Sequence, residues 1–269
     1  MIEAIKLGRT VDGISLLSEI SFSYAAPGIY GIIGPNGAGK TSLLRLLSGV
    51  DRPTSGEILL DGKPIADYPR KALARKMAVL QQGGLPPVGY SVEETVALGR
   101  YPYQGWFGDE QEDAKPIIED ALTRMGLSHL RNRSVDQLSG GERQRAALAQ
   151  VMVQKPQILL LDEPTTYLDI GYQLQLLDTV AQWQQEQSLT VIAVLHDLNL
   201  AALYCDHLLV IKDGSLYGAG TPKQIVTREL VRDVYGAEAD IIPHPDGGAP
   251  QIMLRPKLIA SRNRILINV

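Results

Sequence analysis

The chain holds a single cysteine in 269 residues. One thiol excludes an internal disulfide framework and a cysteine-only zinc site, and it suits a reducing compartment. Cys205 lies in the apolar stretch 201–209 and reads as a small buried side chain. Long apolar runs are also missing. No stretch of about 18 apolar residues occurs, so no segment is expected to span a bilayer. The opening MIEAIKLGRT has no apolar core of the kind a secretory leader needs, and no leader is expected. Positive charge is in short supply: 26 Lys and Arg stand against 30 Asp and Glu, a net charge of -4. That balance disfavours a general nucleic-acid binder, which needs a basic face. Neither an internal repeat nor a low-complexity tract is visible.

What is present fits a globular protein, with 45% hydrophobic and 21% charged residues. Three short continuous apolar runs read as strands covered on both faces, as in a parallel sheet: Ile29–Ile33, Ile158–Leu161 and Thr190–Leu195. Each runs into glycine or polar residues and then a helical pattern. The expectation is an α/β fold whose ligand lies at the carboxyl ends of these strands. Up to about Leu60 the pattern alternates strand-like pieces with turns at Asp12-Gly13 and Asp61-Gly62. After a Gly/Pro-rich loop at 83–89, helical patterns at 91–99 and 111–125 indicate an inserted helical part. Residues 221–236 read as helical, and Pro243, Pro245, Gly247, Gly248 and Pro250 mark a turn-rich appendix.

Residues 34–41, Gly34-Pro35-Asn36-Gly37-Ala38-Gly39-Lys40-Thr41, match the phosphate-loop pattern G-x-x-x-x-G-K-[ST]. The glycines allow several backbone N–H groups to converge, and the helix starting near Lys40 adds its positive end. In that motif Lys40 would set a cation against the β- and γ-phosphates, the Thr41 hydroxyl can ligate Mg²⁺, and Ser42 can reach a phosphate oxygen. A Gly-rich turn that binds nothing is the plainer alternative. The apolar strand before it and the helix after it are the context that phosphate binding demands. Asp162-Glu163 follows the strand ILLL. Asp162 is of the kind that holds Mg²⁺ in phosphate-loop nucleotidases, and Glu163 is placed to polarise a water. An acidic pair there could equally cap a helix; the phosphate loop roughly 120 residues upstream favours the metal reading.

Leu138-Ser139-Gly140-Gly141-Glu142-Arg143-Gln144-Arg145 resembles the LSGGQ signature of ATP-binding-cassette (ABC) proteins, with Glu142 in place of the usual Gln. Ser139 and Glu142 also form an S-x-x-E capping box that opens a helix. Further motifs follow in the family's order. Gln82, with Gln81 beside it, resembles the Q-loop glutamine that senses Mg²⁺ and nucleotide. Leu168-Asp169 resembles the D-loop, and His196 the switch histidine at the γ-phosphate. The resemblance covers about residues 1–220. It departs at Val11, where the family usually carries an aromatic residue against adenine, and at Tyr167, where a small residue is common.

The resemblance implies a phosphate-loop nucleotidase core with a mostly parallel sheet, an N-terminal antiparallel β subdomain and an inserted α-helical subdomain at about 83–150. It implies an ATPase domain over 1–240 and an appendix over 241–269. It further implies ATP and Mg²⁺ as cofactors. Glu163, His196, Gln82 and Lys40 would be catalytic, and Thr41, Gln82 and Asp162 would hold the metal. Ser139, Gly140, Gly141 and Asp169 would complete the nucleotide site of a second subunit in a head-to-tail homodimer. The stretch from Val92 to Tyr103 resembles the V-x-L-G-R-x-P-Y segment of importers for iron-siderophore complexes, haem and cobalamin. The tail at 242–250 and the run His196 to Ala202 are similar to that group as well. The partners implied are polytopic permease subunits, a substrate-binding protein reached through the permease, and no nucleic acid. The expected location is the cytoplasmic face of the cell membrane, as a peripheral subunit. A soluble ABC enzyme of translation or DNA repair usually carries two fused cassettes or a long coiled-coil insertion, and neither is present. A scaffold with feeble hydrolysis is disfavoured by intact Lys40, Glu163 and His196.

Overall fold

The computed structural model describes residues 1–81, 85, 89–105, 113–166, 168–245 and 247–256. The chain starts with a β-hairpin. β1 (Ile2–Val11) and β2 (Ile14–Tyr24) pair through Asp12-Gly13, both in the left-handed region that this tight turn requires. β3 (Gly28–Ile33) leaves for a second sheet and feeds α1 (Lys40–Leu47). β4 (Ser55–Leu60) and the short β5 (Lys63–Pro64) return to the first sheet, which has the order β2-β1-β4-β5 and is antiparallel. α2 (Arg70–Lys76) then leads into β6 (Met77–Leu80).

The helical insertion separates β6 from its neighbour in the sheet. It holds α3 (Val92–Ala97), a 3-10 segment at Leu98–Tyr103, α4 (Ala114–Arg124) and α5 (Gly140–Val153). The remaining elements are β7 (Ile158–Asp162), α6 (Ile170–Gln187), β8 (Thr190–Val194), α7 (Leu198–Tyr204), β9 (His207–Lys212) and β10 (Ser215–Gly220). The second sheet has the order β10-β9-β3-β8-β7-β6, parallel throughout except for β10 at its edge. α8 (Pro222–Ile225), α9 (Arg228–Tyr235), β11 (Ala239–Pro243) and β12 (Pro250–Leu254) complete the described chain.

The continuous apolar strands are buried on both faces, as their composition predicts. Along β7, Ile158 and Leu160 point into a core shared with α1 and the N-terminal sheet. Leu159 and Leu161 point the other way, into the core formed with the helices. This two-residue alternation makes the sheet a wall between two layers and fixes where its carboxyl-terminal edge lies. Cys205 is buried in the helical-side core, and burial pushes its thiol pKa well up.

Two stretches refine the sequence reading. Residues 221–236, read as helical, form two helices, because each has its own start signal. Thr221 and Gln224 build a capping box with Pro222 at the first turn, while Thr227 accepts a hydrogen bond from Leu230 N–H to open α9. The turn-rich appendix is a hairpin of β11 and β12. Its two strand prolines, Pro243 and Pro250, face each other at the strand ends beside the turn. Proline lacks an N–H, and this end of the ladder is where the loss is tolerated.

Candidate nucleotide and phosphate-transfer site

The carboxyl edge of the parallel sheet gathers most of the sequence motifs. β3 ends at Ile33 and the chain turns at Gly34, whose φ is +151. A Cβ there would sit 2.0 Å from the Ile211 carbonyl oxygen, so no other residue fits. Gly39 has φ +99 and caps α1; its missing Cβ leaves room for the Leu16 carbonyl and the Leu17 side chain, each 2.7 Å from where that atom would be. Inside this loop the Lys40 ammonium donates to Gly34 O and Pro35 O, both at 2.9 Å. Lys40 is buried. Burial lowers its pKa, and the nearby carboxylates of Glu163 and Asp162 work against that shift.

Thr41 and Asp162 meet across the sheet, the Thr41 hydroxyl donating to Asp162 Oδ1 at 3.2 Å. Burial raises the Asp162 pKa above the usual carboxylate range. The Thr41 hydrogen bond opposes this shift and the charge of Glu163 adds to it. Two hard oxygen donors beside a phosphate cradle match Mg²⁺, which keeps few protein ligands and takes the rest from phosphates and water. Among the described residues no group of three or more His, Cys, Asp and Glu could hold a metal unaided. Thr41 and Asp162 line a cleft of about 210 Å³ together with Gln81 and Arg45. Gln82 lies outside the described residues.

Glu163 follows Asp162 with φ +51. One oxygen, Oε1, lies 2.5 Å from His196 Nε2 at the end of β8; the other accepts from the Thr166 hydroxyl at 3.3 Å. The carboxylate is therefore aimed by two neighbours. Thr166 was not singled out from the sequence, and its place three residues after Glu163 is the only signal it carried. Gln144 was quoted only as part of the signature. Its buried side chain donates to Pro164 O at 3.1 Å and ties α5 to the Glu163 turn.

The signature lies elsewhere. Ser139 caps α5 by accepting from Glu142 N–H, and Glu142 accepts from Ser139 N–H at 2.8 Å, which completes the capping box. Gly140 has open space around it and Gly141 lines a larger cleft of about 420 Å³ with Leu168 and Tyr172. Within one chain, Thr41 and Gly141 line separate clefts. Asp169 caps α6, accepting from Tyr172 N–H at 2.9 Å. Tyr167 lies outside the described residues. Val11 ends β1 and is 38% exposed.

The sequence profile described as "ABC transporter" matches residues 17–166, which is more than half of the chain. The chain belongs to the ABC transporter family. It is similar to the ferric enterobactin transport ATP-binding protein FepC of Escherichia coli K12, at 44% identity over 222 residues, 82% of each chain. It is 42% identical over 233 residues to the hemin import ATP-binding protein HmuV of Rhodopseudomonas palustris, covering 84% of each. Among solved structures it resembles the dimeric bacterial ABC transporter cassette MJ0796. The TM-score is 0.73 and the identity 27%, over 82% of this chain and 98% of that one. This ABC cassette is an ATP-binding ATPase, and its six-stranded mixed sheet with a separate antiparallel sheet is the cassette fold. No helix among the described residues is long and apolar enough to cross a membrane.

Proposed function

We propose that this chain is the ATP-hydrolysing subunit of a membrane importer for iron-siderophore, haem or cobalamin cargo. The single observation that carries the reading is the carboxyl-edge constellation. Lys40, Thr41, Asp162, Glu163 and His196 converge there in a chain whose relatives are ferric enterobactin and hemin transport ATP-binding proteins.

In this reading the turn Gly34, Pro35, Asn36, Gly37, Ala38 and Gly39, with Lys40, Thr41 and Ser42, cradles the β- and γ-phosphates of ATP. Backbone N–H groups and a helix N-terminus suit a polyanion. The phosphates take over the Lys40 donors now spent on Gly34 O and Pro35 O. Thr41, Asp162 and Gln82 would hold Mg²⁺, which when bound neutralises charge across the β- and γ-phosphates. Glu163 takes the proton of the attacking water, and His196 holds the γ-phosphate. The Glu163–His196 contact supports a shared reacting centre for the two groups. Transfer to water depends mostly on positioning and charge neutralisation. Gly141 of the signature lines a cleft that no residue of the phosphate loop lines, and Ser139, Gly140 and Asp169 resemble the family's residues beside it. By the family resemblance they would close the nucleotide site of a second copy in a head-to-tail homodimer, so that ATP favours the closed pair and hydrolysis releases it.

Residues 1–240 would form the ATPase domain, with the helical subdomain at about 83–150 turned toward the permease. Leu98 and Tyr101 stay 52% and 60% exposed on that side, which supports a docking face there. The chain would sit at the cytoplasmic face of the membrane as a peripheral subunit, and the substrate-binding protein would act on it through the permease.

The test is purification of the tagged chain from native membranes. Co-purification of a multi-spanning permease whose siderophore, haem or cobalamin uptake fails when this chain is deleted is the expected result. Recovery of soluble partners alone, ribosomes or repair proteins, would overturn the importer reading.

A further inference from the structure

The C-terminal hairpin closes back onto α7, the helix that starts two residues after His196. β12 lies against α7, and Asn199 on α7 makes both halves of an amide clasp with one residue of the hairpin. Ile252 N–H donates to Asn199 Oδ1 at 2.7 Å, and Asn199 Nδ2 donates to Ile252 O at 3.4 Å. The side chain thus reproduces the donor and acceptor of a neighbouring strand. A carboxylate could not do this because it lacks the donor, and an apolar residue lacks both groups.

The hairpin is itself held. Asp240 on β11 accepts from Arg228 at the start of α9 and from Arg255 just after β12, each at 2.6 Å. The α7 end of the clasp is equally constrained. Asp197 accepts from the N–H groups of Asn199 and Leu200, so the first turn of α7 is locked to the residue directly after His196. His196 is 40% exposed, yet its Nε2 stays 2.5 Å from Glu163 Oε1. With so much of the ring in solvent, its position depends on the backbone that presents it.

We propose that the β11–β12 hairpin, acting through Asn199, positions His196 for ATP hydrolysis. Asn199 is then a positioning residue that touches neither nucleotide nor metal. The inference rests on the γ-phosphate role proposed for His196 above. Misplacement of a reacting group by about 1 Å costs up to about 100-fold in rate. Loss of one of several constraints should cost less, about tenfold in kcat, with ATP affinity nearly unchanged.

A double-mutant cycle on the full chain tests this, read by single-turnover ATP hydrolysis so that slow variants stay measurable. Asn199→Ala is expected to slow hydrolysis about tenfold in the wild-type background and not at all in the His196→Ala background. Asn199→Asp keeps the acceptor for the shorter bond but sets a carboxylate oxygen against Ile252 O, and should recover only part of the rate. Ile252→Pro removes the partner N–H while leaving Asn199 in place, and should show the same background-dependent loss even if Asn199→Ala folds poorly. Equilibrium ATP binding and a melting curve establish that each variant is folded. Equal slowing in both backgrounds would reduce Asn199 to a structural contact and overturn the proposal. So would wild-type rates for both Asn199→Ala and Ile252→Pro beside a slow His196→Ala. A wild-type rate for His196→Ala would instead overturn the underlying reading of the histidine.

Discussion

Glu163 occupies the left-handed region at φ +51, a conformation that costs a non-glycine residue roughly 1–2 kcal/mol. The turn places its carboxylate between His196 and Thr166 rather than along the strand direction of β7. Strain of this kind persists where surrounding contacts over-determine it. Gln at this position keeps the shape and one acceptor oxygen but cannot take up a proton. Glu163→Gln should therefore bind ATP normally and release phosphate at least about 100-fold more slowly, the range of general-base catalysis. Near wild-type phosphate release would remove Glu163 from the role of base. Lys40 presents the complementary case. Its ammonium is buried against two main-chain carbonyls, so the loop already holds a cation before any phosphate enters.

Helix α5 is secured at both ends by residues far apart in sequence. Ser139 and Glu142 close its N-terminus. At the other end Arg100 donates to Val153 O at 2.8 Å and Tyr103 donates to Gln154 O at 2.9 Å, with the guanidinium stacked 3.9 Å from the Tyr103 ring centre. A cation at a helix C-terminus is favoured by both its orphan carbonyls and its dipole. The Gly99-Arg100 to Tyr103 stretch, which in the sequence resembles an importer segment, is thus the C-terminal lock of α5. Gly99 permits the approach, since a Cβ there would lie 2.0 Å from Gln150 O. Gly99→Ala should destabilise the fold by about 1–3 kcal/mol, as overpacking does, and lower the melting midpoint by several degrees. Gly171→Ala, in the exposed first turn of α6, should be neutral or slightly stabilising by helix propensity. A Gly99→Ala midpoint equal to wild type would mean that α5 and the 3-10 segment separate without cost.

Across the described molecule Thr41 of the phosphate loop and Gly141 of the signature line separate clefts. Two copies arranged head to tail would complete both. Light scattering on Glu163→Gln should report a monomer without nucleotide and a dimer of twice the mass with ATP, and the dimer should disappear on Lys40→Ala in the same chain. A mass unchanged by ATP would leave the signature without a nucleotide to contact.

The continuous apolar runs of β3, β7 and β8, the phosphate loop and the Ser139 capping box were legible in the sequence, because each is a pattern within a few residues that local sterics and hydrogen bonding impose. Asp162 and Glu163 could be located but not aimed. Their partners Thr41 and His196 reach them across the sheet, and no spacing encodes that. The hairpin of β11 and β12 read as turns because its prolines outweighed short strands that pair only with each other. Asn199 and Ile252 stand 53 residues apart and Arg100 and Val153 the same distance. These clasps exist only once the sheet has fixed where α5 and α7 lie. The local sequence specified the elements and the chemistry at their ends; packing on the two faces of one sheet decided which of those ends meet.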